Sequence, residues 1–215
     1  MKKSRALIIA TAVVGLICFV SLSANPVNLY WIDVSPGANI PLVADGTSYG
    51  SIPAGVYNIA IDMNGDGSYE NFSGYCVDPA FVSSSPNPYS IIDIPEQENY
   101  LQAAYIFSTF GTPTANQAAA DVQSAIWSVV GGFSFPNGLS DNAEEMAQAA
   151  AAAVASGWSA TEGLSLAVSP HEGNHFADGY QDFIIRTPEP GMVFLLGLGL
   201  VGVFLAGRKK DLLEG

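Results

Sequence analysis

Gly55-Val56-Tyr57-Asn58-Ile59-Ala60-Ile61-Asp62, followed by Met63-Asn64-Gly65-Asp66-Gly67 and then by Ser68 to Val77, is the stretch from which the fold is read. Its first part is rich in β-branched and aromatic residues and predicts a strand. Asn64-Gly65 and Asp66-Gly67 suit turn positions of positive φ. Ser68 to Val77 then returns as the second arm of a hairpin, ending in Gly74-Tyr75-Cys76-Val77-Asp78. Cys76 therefore stands close to a strand end, where a side chain can meet a neighbouring helix.

Upstream of this hairpin, Val27 to Val34 alternates weakly and predicts a further strand, and Pro36, Gly37, Gly46 and Gly50 punctuate the residues after it. Downstream, Pro79 to Pro88 reads as a loop. A helix is expected from about Pro95 to Phe110, with Asp93 and Glu96 as a capping-box variant and Leu101, Ala104, Tyr105 and Phe110 as its buried stripe. After the break at Gly111-Thr112-Pro113, a second helix is predicted over Ala115 to Val130 with Thr114 as N-cap. Ala119, Val122, Ile126 and Val129 share one face of it, Gln123 borders that face, and Gly131-Gly132 ends the helix. Trp127 lies one turn beyond Gln123, so its ring can cover the glutamine side chain. An alanine-rich third helix is expected from Asn142 to Ala155, capped by Asp141 with Glu144 three residues later. Leu164 to Val168 and Tyr180 to Arg186 read as strands. The sum is an α+β domain, β-rich at both ends of its sequence with a helical segment inserted between.

Of the two cysteines in the 215 residues, Cys18 lies within an apolar N-terminal run. Met1 to Ala24 has a basic start, an apolar core and small residues at Ser21, Ser23 and Ala24, as a secretory signal peptide does. Cys76 is then the single cysteine of the mature chain, without a disulfide partner. Such a cysteine is buried and inert, paired between chains, or chemically committed.

A thioester joins a cysteine sulfur to the side-chain carbonyl carbon of a glutamine, with loss of ammonia. It needs a sulfur at a strand end, a glutamine fixed on a rigid element, and apolar cover against hydrolysis; Tyr75 and Trp127 are side chains of the shielding kind. Tyr75-Cys76-Val77 followed by Val122-Gln123-Ser124-Ala125-Ile126-Trp127 resembles the Cys-Gln thioester domain of bacterial surface adhesins, over about Val56 to Val130. The resemblance implies a β-rich thioester-type fold with Cys76 and Gln123 as the bond-forming pair. It also implies stoichiometric acyl transfer, without turnover and without a cofactor, to an amine or hydroxyl on a protein or polysaccharide. Val122 departs from one common form of the motif, which has Thr before the Gln. The same residues also fit a buried small hydrophobe and a helix-boundary glutamine, in a non-covalent structural or carbohydrate-matrix protein.

The C-terminal end has three parts in order: Pro188-Glu189-Pro190, an uncharged apolar run from Gly191 to Ala206, and Arg208-Lys209-Lys210. As a helix the run spans about 24 Å against a hydrocarbon core of about 30 Å, enough with its flanks for a membrane-spanning segment held by the inner basic cluster. The three parts together resemble the PEP-CTERM sorting signal of Gram-negative bacteria. That resemblance implies recognition by an exosortase at the inner membrane, cleavage near Pro188-Glu189-Pro190, and delivery to the cell surface or extracellular matrix, in association with exopolysaccharide and biofilm. The expected organisation is signal peptide 1–24, ectodomain 25–186 and sorting segment 187–215, with the membrane span at 191–206.

The formal net charge is −13, and between residues 25 and 187 seventeen acidic residues face a single base, Arg186. Such a surface repels a phosphate backbone, which excludes nucleic acid as a partner. Two rival motifs remain. His171-Glu172-Gly173-Asn174-His175 has the letters of a zinc hydrolase motif, in which His171 and His175 would hold the metal and Glu172 would act as base. Pro170 and Gly173 argue against the helix that this chemistry requires. Asp62, Asn64 and Asp66 match the opening of a calcium loop, with Glu70 at its ninth position; Ser73 stands where a bidentate Glu is needed, and a hairpin turn accounts for the same residues.

Overall fold

The computed structural model describes residues 26–44, 46–78, 83–170 and 180–187. Its strands are β1 (Val27–Ala44), β2 (Thr47–Asp62), β3 (Glu70–Cys76), β4 (Asn87–Asp93), β5 (Phe133–Ser134), β6 (Leu164–Val168) and β7 (Phe183–Arg186). The helices are α1 (Glu98–Phe110), α2 (Asn116–Val130) and α3 (Asp141–Ala155). The sheet runs β2-β3-β7-β6-β4-β1-β5, and β1 also pairs with β2, so six antiparallel strands close on themselves. Closure leaves the six strands without an open edge along the ring.

The expected hairpin is β2 and β3, in register from Tyr57 against Gly74 to Ile61 against Glu70. Cys76 is the last residue of β3. Three expectations are corrected. β1 does not stop before Pro36: it continues for 18 residues, and the irregularity is absorbed as register shifts between Trp31 and Asp33, Val34 and Gly37, and Leu42 and Val43. A bulge lets a strand carry Pro and Gly without losing its partner. The stretch read as a loop and helix start contains β4, where Asp93 pairs with Ser165; α1 therefore begins later, at Glu98, with Gln97 before it making no side-chain cap bond. Of the expected stripe, Ala104 is buried and Tyr105 and Phe110 pack half-buried against the core, while Ala103, Ile106 and Phe107 complete the buried face. Caps also move by one residue: Ala115 precedes α2 without a side-chain bond, and Ser140, not Asp141, caps α3 by accepting from the Ala143 N–H at 3.2 Å.

Period-two alternation sorts the buried residues into two clusters. Tyr57, Ile59, Ile61, Phe72, Cys76, Tyr89, Phe183 and Ile185 belong to one, on the interior of the strand ring. Val56, Tyr75, Val77, Leu166 and Ile184 point the other way and join the helices. Helix α2 is wedged between them: Val122, Ala125 and Ile126 enter the helical cluster, while Ala120 and Trp127 enter the ring cluster. That position explains why Ala119 through Trp127 are all buried, where one apolar face was expected.

Arg186, the domain's one base, ties β7 to α1. Its Nη2 donates to the carbonyls of Phe107 at 3.2 Å and Ser108 at 3.4 Å, and its guanidinium lies 5.0 Å from the centre of the Phe107 ring. These contacts complement the negative end of a helix. Arg186→Ala is expected to lower stability by about 1 kcal/mol in equilibrium urea unfolding, most of it through α1.

Candidate functional site

The ladder between β2 and β3 ends at Tyr57 and Gly74, beyond which β2 continues against β1 alone. Two residues further along β3, the backbone of Cys76 faces the space that β2 has left. Gln123 fills it. The Cys76 N–H donates to Gln123 Oε1 at 3.1 Å, and Gln123 Nε2 donates to the Cys76 carbonyl at 2.7 Å. The amide thus takes the place of a strand neighbour, and both groups of a buried peptide are satisfied by one side chain. Cys76 and Gln123 are both fully buried. On the other side, Cys76 pairs with Phe183, and the Val77 N–H donates to the Asp182 carbonyl at 3.0 Å.

Trp127 is fully buried beside them and stacks on Phe133, with ring centroids 5.6 Å apart and planes 20° apart. Tyr75 is placed differently from the expected cover. As the residue before Cys76 on a strand it points to the opposite face, where its ring meets Phe107 edge-on at 5.3 Å. The pair is therefore covered by Trp127 and the ring-interior aromatics Tyr57, Tyr89 and Phe183.

The Cys76 thiol donates to the carbonyl of Asp78. Burial pushes its pKa well up and the nearby Asp78 carboxylate adds to this; the Trp127 indole N–H works in the opposite direction. The sulfur is thus held as a neutral thiol at neutral pH. Burial, reinforced by Cys76, likewise raises Tyr57.

Two acids that the sequence reading left without a role complete the surroundings. The Asp182 N–H donates to Asp78 Oδ2 at 3.2 Å, and Asp182 Oδ1 accepts the Ser169 N–H at 2.7 Å. Both acids line a partly open pocket of about 140 Å³ with Val77, Tyr100, Gly131 and Phe133. Asp78 directly follows the Cys-containing motif, so its position was legible. Asp182 comes from the residue just before β7, over a hundred positions away, and strand pairing brings it there.

At the hairpin turn, Asp62 Oδ1 accepts the Asp66 N–H at 3.1 Å, Asp62 Oδ2 accepts the Gly67 N–H at 2.9 Å, and Asp66 Oδ1 accepts the Ser68 N–H at 2.8 Å. These carboxylates brace the turn. Asp62→Ala is expected to lower the unfolding midpoint, at a cost of about 2 kcal/mol, whereas added calcium or a chelator leaves the wild-type midpoint in place. Among the described residues no group of three or more His, Cys, Asp or Glu side chains is arranged to hold a metal ion. His171, Glu172 and His175 lie outside the described residues, as do the signal peptide, Pro188-Glu189-Pro190, the 191–206 segment and Arg208-Lys209-Lys210. Among the described residues no helix is long and apolar enough to cross a membrane.

Residues 186–210 match the family model of the PEP-CTERM protein-sorting motif. The motif marks an exported protein, sorted through the membrane by an exosortase. No curated protein and no solved structure matches the chain.

Proposed function

We propose that the chain is a surface or matrix protein of a Gram-negative bacterium in which Cys76 and Gln123 close an internal thioester for covalent capture of a partner. The observation that supports this reading is the two-point contact of the Gln123 amide with the backbone of Cys76, at 3.1 and 2.7 Å. The amide carbon lies between the two contacting atoms, beside the one residue whose sulfur can attack it. For the bond to form, rotation about the Cys76 side chain has to carry the sulfur from the Asp78 carbonyl to that carbon. The Cys76 N–H then holds the oxyanion forming on Oε1. The thiol proton passes to Nε2, the C–N bond breaks and ammonia leaves.

Capture reverses the geometry. An amine or hydroxyl entering from the pocket at Asp78 and Asp182 attacks the same carbon, the C–S bond breaks, and an amide or ester remains while the thiol is regenerated. Each chain acts once, so the activity is acyl transfer without turnover. The partner would be a protein or polysaccharide at the cell surface or in the extracellular matrix, with adhesion or biofilm attachment as the outcome.

A second reading has its own support. The buried, neutral thiol bonded to Asp78 and the amide that completes the β3 backbone are what an inert core would show. In that case the domain is a non-covalent structural or carbohydrate-matrix protein. Incubation with methylamine separates the two: covalent addition at Gln123 belongs to the first reading only, and unmodified protein after long incubation belongs to the second.

A further inference from the structure

Trp127 Nε1 is buried and has no hydrogen-bond acceptor of normal geometry among the described residues. An indole N–H removed from water without an acceptor is costly, and an orphan in a well-packed core calls for an explanation. The ring cannot easily turn to relieve it. Helix α2 fixes it one turn from Gln123, and the stack on Phe133 at 5.6 Å fixes its plane. Trp127 and Cys76 are fully buried in the same cluster inside the strand ring, and the effect of the indole N–H on the Cys76 sulfur is to favour the thiolate. A neutral thiol is a weak acceptor, which leaves the donor unsatisfied in the resting state; a sulfur carrying negative charge is a strong one.

We infer that the Trp127 N–H is the donor that holds the Cys76 sulfur as it gains charge when the acyl bond is made and broken. Trp127 is then a catalytic residue as well as a cover. The inference rests on the thioester reading above. In bond formation the Trp127 N–H stabilises the sulfur as its proton moves to the departing Nε2. In capture by an amine, the nitrogen attacks the acyl carbon, the C–S bonding pair goes to sulfur, and Trp127 holds the thiolate until the proton lost by the amine returns to it. Two donors thus divide the work: the Cys76 N–H serves the oxygen and the Trp127 N–H serves the sulfur.

The test tracks addition of methylamine by mass across a range of pH, in the exported protein and in Trp127→Phe. Phenylalanine keeps an aromatic ring against Phe133 and removes the donor. Capture is expected to slow by about tenfold or more, the factor carried by one charge-assisted hydrogen bond. Because the leaving sulfur then needs its proton earlier, the slowing should grow with rising pH. A second form with benzothienylalanine at position 127 keeps the shape of the indole and lacks only the N–H; it decides the matter if Trp127→Phe fails to fold. Capture at the wild-type rate and with the wild-type pH profile in a folded donor-free form overturns the inference and leaves the thioester reading standing. A wild-type protein that never loses ammonia overturns both.

Discussion

Intact mass spectrometry of the exported chain is expected to give a value one ammonia below that of its own sequence, and methylamine is expected to replace the loss with its own mass. Among the described residues Cys76 is the single free cysteine, and Gln123 is the glutamine whose amide meets it. Cys76→Ala should therefore restore the full mass and abolish the response to methylamine. Gln123→Ala should do the same by removing the acyl carbon, while leaving the sulfur in place for thiol reagents after unfolding. Gln123→Glu is the sharper variant. It keeps the side-chain length and one carbonyl oxygen for the Cys76 N–H, but it offers a carboxylate in place of an amide. A carboxylate sets its charge against the Cys76 carbonyl and is a poor electrophile, so this protein should also show its full sequence mass. A deficit that survives Cys76→Ala would place the lost ammonia elsewhere, for instance at an Asn-Gly step such as Asn64-Gly65. A full mass in wild type would leave the second reading.

The contact that carries this prediction was partly legible in the sequence, and the reason is physical. Hairpin turn chemistry and β-branched content are local signals, so β2, β3 and the place of Cys76 at a strand end could be read directly. The i to i+4 relation of Gln123 and Trp127 is local as well. Ring closure was not legible. It depends on β1 pairing with β4 and β2 at once and on Asp182 arriving from beside β7, and strand order leaves no mark in composition or period. The misplacement of Tyr75 has a different origin. Adjacent residues on a strand face opposite sides, so the neighbour of Cys76 was the wrong residue from which to expect cover; Trp127 and the ring aromatics supply it. Gln123 looked like a boundary residue because a helix wedged between two cores cannot be told by periodicity from one lying on a surface. Asp93 was misread because Asp-x-x-Glu before an apolar stretch signals a cap only where no strand claims the first residue.

Stability measurements on the same residues separate a staple from a plug. A bond between positions 47 apart closes a loop whose entropy in the unfolded chain is worth roughly 4 kcal/mol, by analogy with a disulfide. Cys76→Ala should then lower stability by about that amount, or the midpoint by about 10 °C for a domain of this size. Gln123→Ala should cost more, because it removes the staple and also takes from the buried Cys76 N–H the acyl oxygen that the thioester keeps, worth about 1 kcal/mol further. The decisive quantity is the double variant. A bond can be lost only once, so Cys76→Ala combined with Gln123→Ala should be little worse than Gln123→Ala alone, with an interaction term of several kcal/mol. If the amide is only a plug, the expectation reverses. Cys76→Ala keeps the peptide group that Gln123 binds and costs about 1 kcal/mol for the lost sulfur. Gln123→Ala costs about 3 kcal/mol through the two orphaned groups, and the two changes add. Urea unfolding of the four proteins under non-reducing conditions reads the interaction term directly. A term within about 0.5 kcal/mol of zero is the additivity of independent sites; it would mean that the sulfur and the amide are held side by side without ever being joined.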